Sequence, residues 1–387
     1  MEFLPFFILI LVAVIFSAVF NRFHLPWVLA LIVSGMVIGP YGLGVFELNP
    51  TISFMSQTGL VLLMFMVGLE VKLSSFQEFR IGILRTATVN VLVPATIGYS
   101  IGYLLHFTPL ASLLLGIIFM SSSIAVVVPT LEFGGLLNEK LGKTIVAATI
   151  IADVASLFVL SVVLQVVSPT SPLPLPSFYL LLLIVLVGFR YSLPRVRAFF
   201  PAKKDENDLF ESEVRVVFAL LLGTVITFAA LGLHPIIAGF LTGLMLSDSI
   251  TSKLLIDKIR TIGYGIFIPI FFVVVGAETD VRVFAENADA LILTLILLFG
   301  SVGSKFFSGF WGARFDGFSL RDCVIAGTAT TPQLSTALAV VITAVELDLV
   351  PSSLSNAMVI LSIVTTFCAP LFLKYVFLHP KLFAERS

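Results

Sequence analysis

The sequence predicts an all-α polytopic membrane protein, and three observations carry that prediction: apolar composition, the spacing of the hydrophobic runs, and a one-sided distribution of basic residues. Of 387 residues, 58% are hydrophobic and only 12% charged, at a mean hydropathy of +1.12. Soluble domains carry about 25% charged residues. With a net charge of −1, the chain offers no basic surface for nucleic acid, and none is expected as a partner.

A spanning helix needs about 20 mostly apolar residues. Thirteen such segments follow one another, at residues 4–20, 25–44, 57–72, 81–106, 109–131, 141–168, 174–193, 212–231, 234–248, 261–277, 290–313, 321–345 and 351–376. The first is preceded by Glu2 rather than a basic stretch and lacks a small-residue cleavage site, so it reads as a retained helix and not a signal peptide. The stretch from Pro201 to Arg215, with Lys203, Lys204, Asp205, Glu206 and Asp208, reads as a cytoplasmic linker. The whole of 1–387 is one transmembrane domain in this reading: a first repeat at 1–170, a linking helix at 174–193, a second repeat at 210–378, and no soluble C-terminal domain.

Lys and Arg near helix ends are retained on the cytoplasmic side. With the N-terminus outside and the C-terminus cytoplasmic, 20 of the 22 basic residues fall in cytoplasmic loops or the tail. Outside lies only Arg282, and Lys305 is within a span. A miscounted helix would scramble the sign of every later loop, so the asymmetry supports both the count and insertion in the inner (plasma) membrane.

Shifting the sequence by 208 positions lays Ile32-Val33-Ser34-Gly35-Met36-Val37-Ile38 over Phe240-Leu241-Thr242-Gly243-Leu244-Met245-Leu246, and Val67-Gly68-Leu69-Glu70 over Val275-Gly276-Ala277-Glu278. The matched spans are seven helices apart, so the second copy runs inverted through the membrane. Two inverted six-helix repeats are a recurring transporter architecture, with the substrate site near the midplane. Spans five and twelve are also seven apart. One carries Ser121-Ser122-Ser123 and then Pro129; the other carries Thr328, Thr330-Thr331-Pro332 and Ser335-Thr336. Broken backbone at that depth is tolerated only where it is buried in protein or lines a water-filled cavity. Helices five and twelve are therefore expected to be proline-broken at mid-membrane and to form a shared site.

Between Thr144 and Phe189 the only charged residue is Asp153, ten positions past Lys143 and thus about 15 Å along a helix. A carboxylate at the midplane costs at least ~2.5 kcal/mol, and such residues face the interior and carry function. Thr149 and Ser156, at i−4 and i+3, share its face, and hydroxyl and carboxylate oxygens are the ligands a hard alkali cation takes. Thr330, Thr331, Ser122 and Ser123 are expected to complete the shell. Lys305 is the only charge between Ala290 and Ala313. Two readings stand for it: a hydrogen bond to the carbonyls of a broken helix, or, favoured by the opposite signs, a pairing with Asp153. A ridge of Gly300, Ser304, Ser308 and Gly312 runs beside it, suited to close helix packing. Glu70 and Glu278 fall at helix ends, and the four histidines show no ligand spacing. Cys323 and Cys368 lie inside spans, where packing is their expected role.

At these residues the chain resembles the monovalent cation:proton antiporter superfamily, in its thirteen-helix branch related to potassium-efflux antiporters. The resemblance runs nearly end to end. It is carried by Pro26 through Gly44 with Ile38-Gly39-Pro40, by Phe65-Met66-Val67-Gly68-Leu69-Glu70, and by Ile150-Ile151-Ala152-Asp153-Val154. Pro269-Ile270-Phe271-Phe272 with Val275-Gly276, and Gly303-Ser304-Lys305, complete the set. It implies crossed, partly unwound helices five and twelve, Asp153 as ion carrier, Lys305 on helix eleven, elevator-like movement and a homodimer. Two departures concern the site. Many members place Asp or Asn before the essential Asp, where Ala152 stands here. Helix twelve often carries Arg and Glu where this chain reads Thr331-Pro332-Gln333-Leu334-Ser335.

The function this implies is a secondary antiporter exchanging Na+ or K+ for H+ across the membrane at Asp153, with no cofactor beyond the transported ions. Two alternatives are a cation-coupled symporter of an organic anion and a non-transporting sensor, the latter opened by Ala152 and the altered helix twelve. The sequence shows no nucleophile, metal cluster or phosphate loop that would make it an enzyme.

Overall fold

Apolar sequence dictates helix here, because backbone in hydrocarbon has to satisfy its own N–H and C=O groups. The computed structural model describes residues 3–22, 27–46, 48–70, 81–167, 176–180, 212–231, 234–247, 252–283 and 288–378, with positions 174, 183–184, 187–188, 191–192 and 250. All regular structure among the described residues is helical. In chain order the elements are α1 (Phe3–Arg22), α2 (Trp27–Ile38), α3 (Pro50–Glu70), α4 (Ile81–Leu104), α5 (Pro109–Met120), α6 (Ile124–Phe133), α7 (Lys140–Val167) and α8 (Ser212–Ala230). They continue as α9 (Pro235–Leu246), α10 (Lys253–Ile262), a π turn at Gly263–Phe267, α11 (Ile268–Ala277), α12 (Ala288–Phe315), α13 (Leu320–Ala329), α14 (Ser335–Glu346) and α15 (Ser352–Leu378). Eight described segments are long and apolar enough to cross a membrane, and α2, α5, α9 and α14 are shorter apolar helices.

Three expectations need adjustment. The fifth span divides into α5 and α6 at Ser121–Ser123, and helix continues through position 129, so the proline is not the break. The serine makes it: both the backbone N–H of Ser121, at 3.3 Å, and its hydroxyl, at 3.1 Å, donate to the Ile118 carbonyl, closing α5 in a tight turn. The tenth span starts at Lys253 rather than 261, because Leu255 and Ile259 bury one face of α10 while Lys253, Lys258 and Arg260 keep the segment polar enough to read as loop. Cys368 is exposed, whereas Cys323 packs inside an apolar cluster with Leu131, Ile145 and Ile325. The linker at 201–211 lies outside the described residues; of the expected linking helix at 174–193, twelve positions are described, and 176–180, 183–184, 187–188 and 191–192 among them are helical.

The chain forms two compact units, one of Met1–Leu48, Phe79–Leu160 and Phe272–Ser387, the other of Asn49–Glu78 and Ser161–Phe271. In the first, α12 packs on α4, α5, α13 and α15. Its small residues permit this: a Cβ on Gly312 would meet Thr86 of α4 at 3.0 Å, and one on Gly309 would meet the Ala326 carbonyl of α13 at 2.7 Å.

Glycines from the shifted segments make close backbone approaches in each unit. In the first unit Gly35 of α2 lies against the Val273 carbonyl, and Gly276 of α11 against the Ile32 carbonyl. In the second, Gly243 of α9 lies against the Phe65 carbonyl, and Gly68 of α3 against the Phe240 carbonyl. Every member of one set differs from its counterpart by 208 positions. No side chain larger than hydrogen fits at these four glycines without moving a backbone.

Candidate ion-binding site

Asp153 sits in α7 at 2% exposure. One carboxylate oxygen, Oδ1, accepts the backbone N–H of Ser122 at 3.2 Å. That N–H is available because α5 has already ended at Met120 and α6 begins only at Ile124. The break between the two half-helices thus supplies a donor that an unbroken helix would have spent on its own ladder.

The two breaks meet. Ser122 donates its hydroxyl to the Thr330 carbonyl at 3.0 Å, and Ser123 donates its N–H to the Pro332 carbonyl at 2.7 Å. In the second break, residues 330–334 separate α13 from α14 and expose carbonyls that the first break uses. Thr330 turns its hydroxyl to Lys305, Ala326 and Gly327 carbonyls at 3.2, 3.1 and 3.0 Å. Thr331 bonds the Thr328 carbonyl at 2.8 Å and lines a cavity of about 360 Å³ with Phe299, Val302 and Cys368. The structure therefore brings Ser122 to Asp153 directly and the Thr330 backbone to it through Ser122, while the Thr331 side chain serves another cavity.

Two hydroxyls on the segments that meet at Asp153 are buried without a hydrogen-bond partner. Thr149, one turn before Asp153, has its hydroxyl so placed at 0% residue exposure, and so does Ser123 in the break. Ser156 donates to the backbone carbonyl of Asp153 at 2.9 Å and not to its carboxylate. Buried polar groups are ordinarily paired; two orphaned hydroxyls beside a buried carboxylate are the donor set an alkali cation would use.

Lys305, at 0% exposure, adopts the first of the two readings open to it. Its ammonium donates to the carbonyl of Met120, the last residue of α5, and approaches the backbone oxygen and the Oδ1 of Asn90 at 3.5 Å each. The expected communication with Asp153 is electrostatic, the two lying within range of each other's charge. Two residues that sequence reasoning passed over complete the network. One is Asn90, whose signal was a lone amide in the apolar α4. The other is Gln333, whose Nε2 donates to the Phe119 and Ser121 carbonyls at 3.0 and 3.3 Å and whose Oε1 accepts from Ser301 at 2.9 Å. Lys305 and Gln333 together satisfy carbonyls that the end of α5 leaves open. Elsewhere, Glu70 at the end of α3 pairs with Arg260 at 3.5 Å, and Glu278 follows the end of α11.

An apolar chain, all-helical among the described residues, with eight segments long enough to cross a membrane and two helix breaks hydrogen-bonded to each other beside a buried carboxylate, belongs among polytopic membrane proteins. The family described as sodium/hydrogen exchanger, transmembrane, matches residues 8–379, and the chain belongs to that family. It is 32% identical over 382 residues to the probable Na(+)/H(+) antiporter 3 of Methanocaldococcus jannaschii, covering 96% of each chain. It is 29% identical over 381 residues to the Na(+)/H(+) antiporter of Enterococcus hirae, covering 97% of this chain and 98% of that one. Its fold is similar to that of the sodium proton antiporter MjNhaP1 from Methanocaldococcus jannaschii at pH 8, with a TM-score of 0.66 at 19% identity over 96% of this chain and 94% of that one.

Proposed function

We propose that the protein is a secondary antiporter that exchanges a monovalent cation, Na+ or K+, for H+ by alternating access at Asp153. The observation that carries this is a buried carboxylate bonded by the backbone of a helix break, with partnerless buried hydroxyls on Thr149, one turn away in α7, and on Ser123, in the break. A carboxylate so enclosed holds a proton or a cation, not both, because each occupant neutralises the same charge. Loading one releases the other, and presenting the site to alternate sides gives exchange. The cation, stripped of water, takes its oxygens from Asp153, Thr149, Ser123 and backbone of the breaks; Thr330 and Ser122 hold those breaks together. The relatives named as Na(+)/H(+) antiporters support sodium as the first cation to test.

The architecture we infer is thirteen helices in two inverted repeats, the first within 1–170 and the second within 210–378, joined by a linking helix at 174–193. The reciprocal glycine packing at an offset of 208 supports this, as does the Ser122–Thr330 bond between positions the same distance apart. The basic-residue asymmetry supports a plasma-membrane protein with the N-terminus outside and the C-terminus cytoplasmic. The resemblance supports a homodimer. An organic-anion symporter is the weaker reading, since Lys305, the cation such a site would need, is committed to protein oxygens.

The test reconstitutes purified protein in vesicles containing a pH-sensitive dye and adds sodium, potassium or lithium. Wild type should move protons on cation addition, and Asp153→Asn should not. Retained cation-dependent flux in that variant would overturn the assignment of Asp153.

A further inference from the structure

Among the oxygens around Lys305, two come from one residue, and the sequence explains why both are available. Asn90 is wholly buried in α4, and four residues later in the same helix stands Pro94. Proline has no N–H to return to the carbonyl at i−4. The oxygen so released is the Asn90 carbonyl, and it faces the Lys305 ammonium at 3.5 Å. The side-chain Oδ1 of Asn90 faces the same ammonium at 3.5 Å and also accepts from Ser308 at 3.0 Å. Two donors thus fix which way the amide points, and its Nδ2 is left buried with no hydrogen-bond partner. An apolar residue here would avoid that orphaned Nδ2, so the use of the Asn lies in its oxygen. With the Met120 carbonyl, the berth holds three neutral acceptors, matching the three N–H bonds of an ammonium.

We propose that Asn90 is a positioning residue for ion exchange: with Pro94 it builds a neutral berth that holds Lys305 back from Asp153 and thereby sets the apparent affinity for the transported cation. The inference rests on the exchanger reading above and deepens it. An ammonium and a cation compete for one carboxylate. Whatever anchors the ammonium elsewhere favours the cation, and whatever loosens that anchor favours the ammonium. Asn90 never touches the cation in this account; it acts through Lys305.

The experiment measures sodium-dependent proton flux in proteoliposomes, reading the half-saturating sodium concentration separately from the maximal rate. Asn90→Ala removes one acceptor, and Pro94→Ala gives the Asn90 carbonyl its helical donor back. Both should raise half-saturating sodium, by about tenfold for the scale of one charge-assisted hydrogen bond, with the maximal rate little changed. Asn90→Asp offers the ammonium a stronger partner and should lower it. Opposite movement by Ala and Asp at one position is the signature, since a purely structural role would have both variants lose rate or yield. Movement in the same direction, or an Asn90→Ala value matching wild type, overturns the proposal. Should Asn90→Asp fail to fold, agreement or disagreement between Asn90→Ala and Pro94→Ala decides. A double-mutant cycle of Asn90→Ala and Lys305→Ala on thermal stability decides the berth without any transport: coupling supports it, additivity overturns it. Wild type without any cation-driven flux would refute the exchanger reading, and the cycle would still report on the berth.

Discussion

The two deep charges of this chain live in opposite surroundings. Asp153 has a backbone donor on one oxygen and beside it hydroxyls, on Thr149 and Ser123, that pair with nothing among the described residues. Lys305 has a protein acceptor for each of its N–H bonds. One environment leaves coordinating capacity for a visitor; the other is complete with protein alone. In the exchange we propose, the difference gives them different work: Asp153 changes its occupant, and Lys305 keeps its berth and modulates the exchange by its charge.

The harshest way to break that comparison is to remove the site that trades partners. Asp153→Asn keeps the shape and the Ser122 hydrogen bond while removing the charge, so exchange should fall to the level of empty vesicles while size-exclusion behaviour stays that of wild type. Lys305→Ala should give a contrasting result. It strands the Met120 and Asn90 backbone carbonyls, while Asn90 Oδ1 keeps the Ser308 donor, and unsatisfied buried acceptors cost about 1–3 kcal/mol each. Thermal unfolding should therefore reveal a clear loss of stability. Exchange should survive with an altered pH profile, because the carboxylate has lost a neighbouring charge but not its ligands. An unchanged profile would mean that the two residues do not communicate.

Much of the layout could be read from sequence because membrane burial makes it loud. A lone Asp in a run of apolar residues, a serine triplet and a Thr-Thr-Pro at matching offsets are exceptions against a uniform background, and Ser122 links all three segments by bonding both Asp153 and the Thr330 carbonyl. Lys305's partners were quieter. Opposite signs at equal depth pointed to an ion pair, but the end of α5 offered carbonyls nearer to hand, and nothing local in Gly303-Ser304-Lys305 specifies which helix end it meets. Asn90 and Gln333 illustrate a further limit: an amide has no charge to announce it, and its role depends on which carbonyls a distant segment leaves unpaired. Pro129 misled for a local reason, since a serine that bonds back to Ile118 ends α5 before the proline is reached.

The hydroxyls sharpen the comparison at smaller scale, because chemically similar neighbours should behave differently. Ser122 spends its hydroxyl on the Thr330 carbonyl. Ser122→Ala should cost about 1 kcal/mol of stability with half-saturating sodium close to wild type. Ser123 and Thr149 have no such bond to lose. Ser123→Ala and Thr149→Val should leave stability equal or higher and weaken sodium several-fold, roughly the effect of one lost oxygen ligand of 1 kcal/mol. If Ser122→Ala weakened sodium as much as the other two, the division between structural and coordinating hydroxyls would be wrong.

The smallest expected effect is a null, and it tests whether Lys305 keeps its proton throughout. Ala152 stands beside Asp153, so one carboxylate is present where a second would allow two protons to leave per cation. A second proton could come only from Lys305. Its berth argues against that: three acceptor oxygens match an ammonium, whereas a neutral amine has two N–H bonds and would turn its lone pair toward a carbonyl. One cation then replaces one proton, and the cycle moves no net charge. Proteoliposomes with an imposed potassium-diffusion potential and no pH gradient should show sodium-dependent proton movement at the same rate with and without the voltage, checked against a cation that is not transported. Acceleration by voltage would mean that net charge moves, that Lys305 leaves its proton behind during the cycle, and that the two deep charges are more alike than their surroundings make them look.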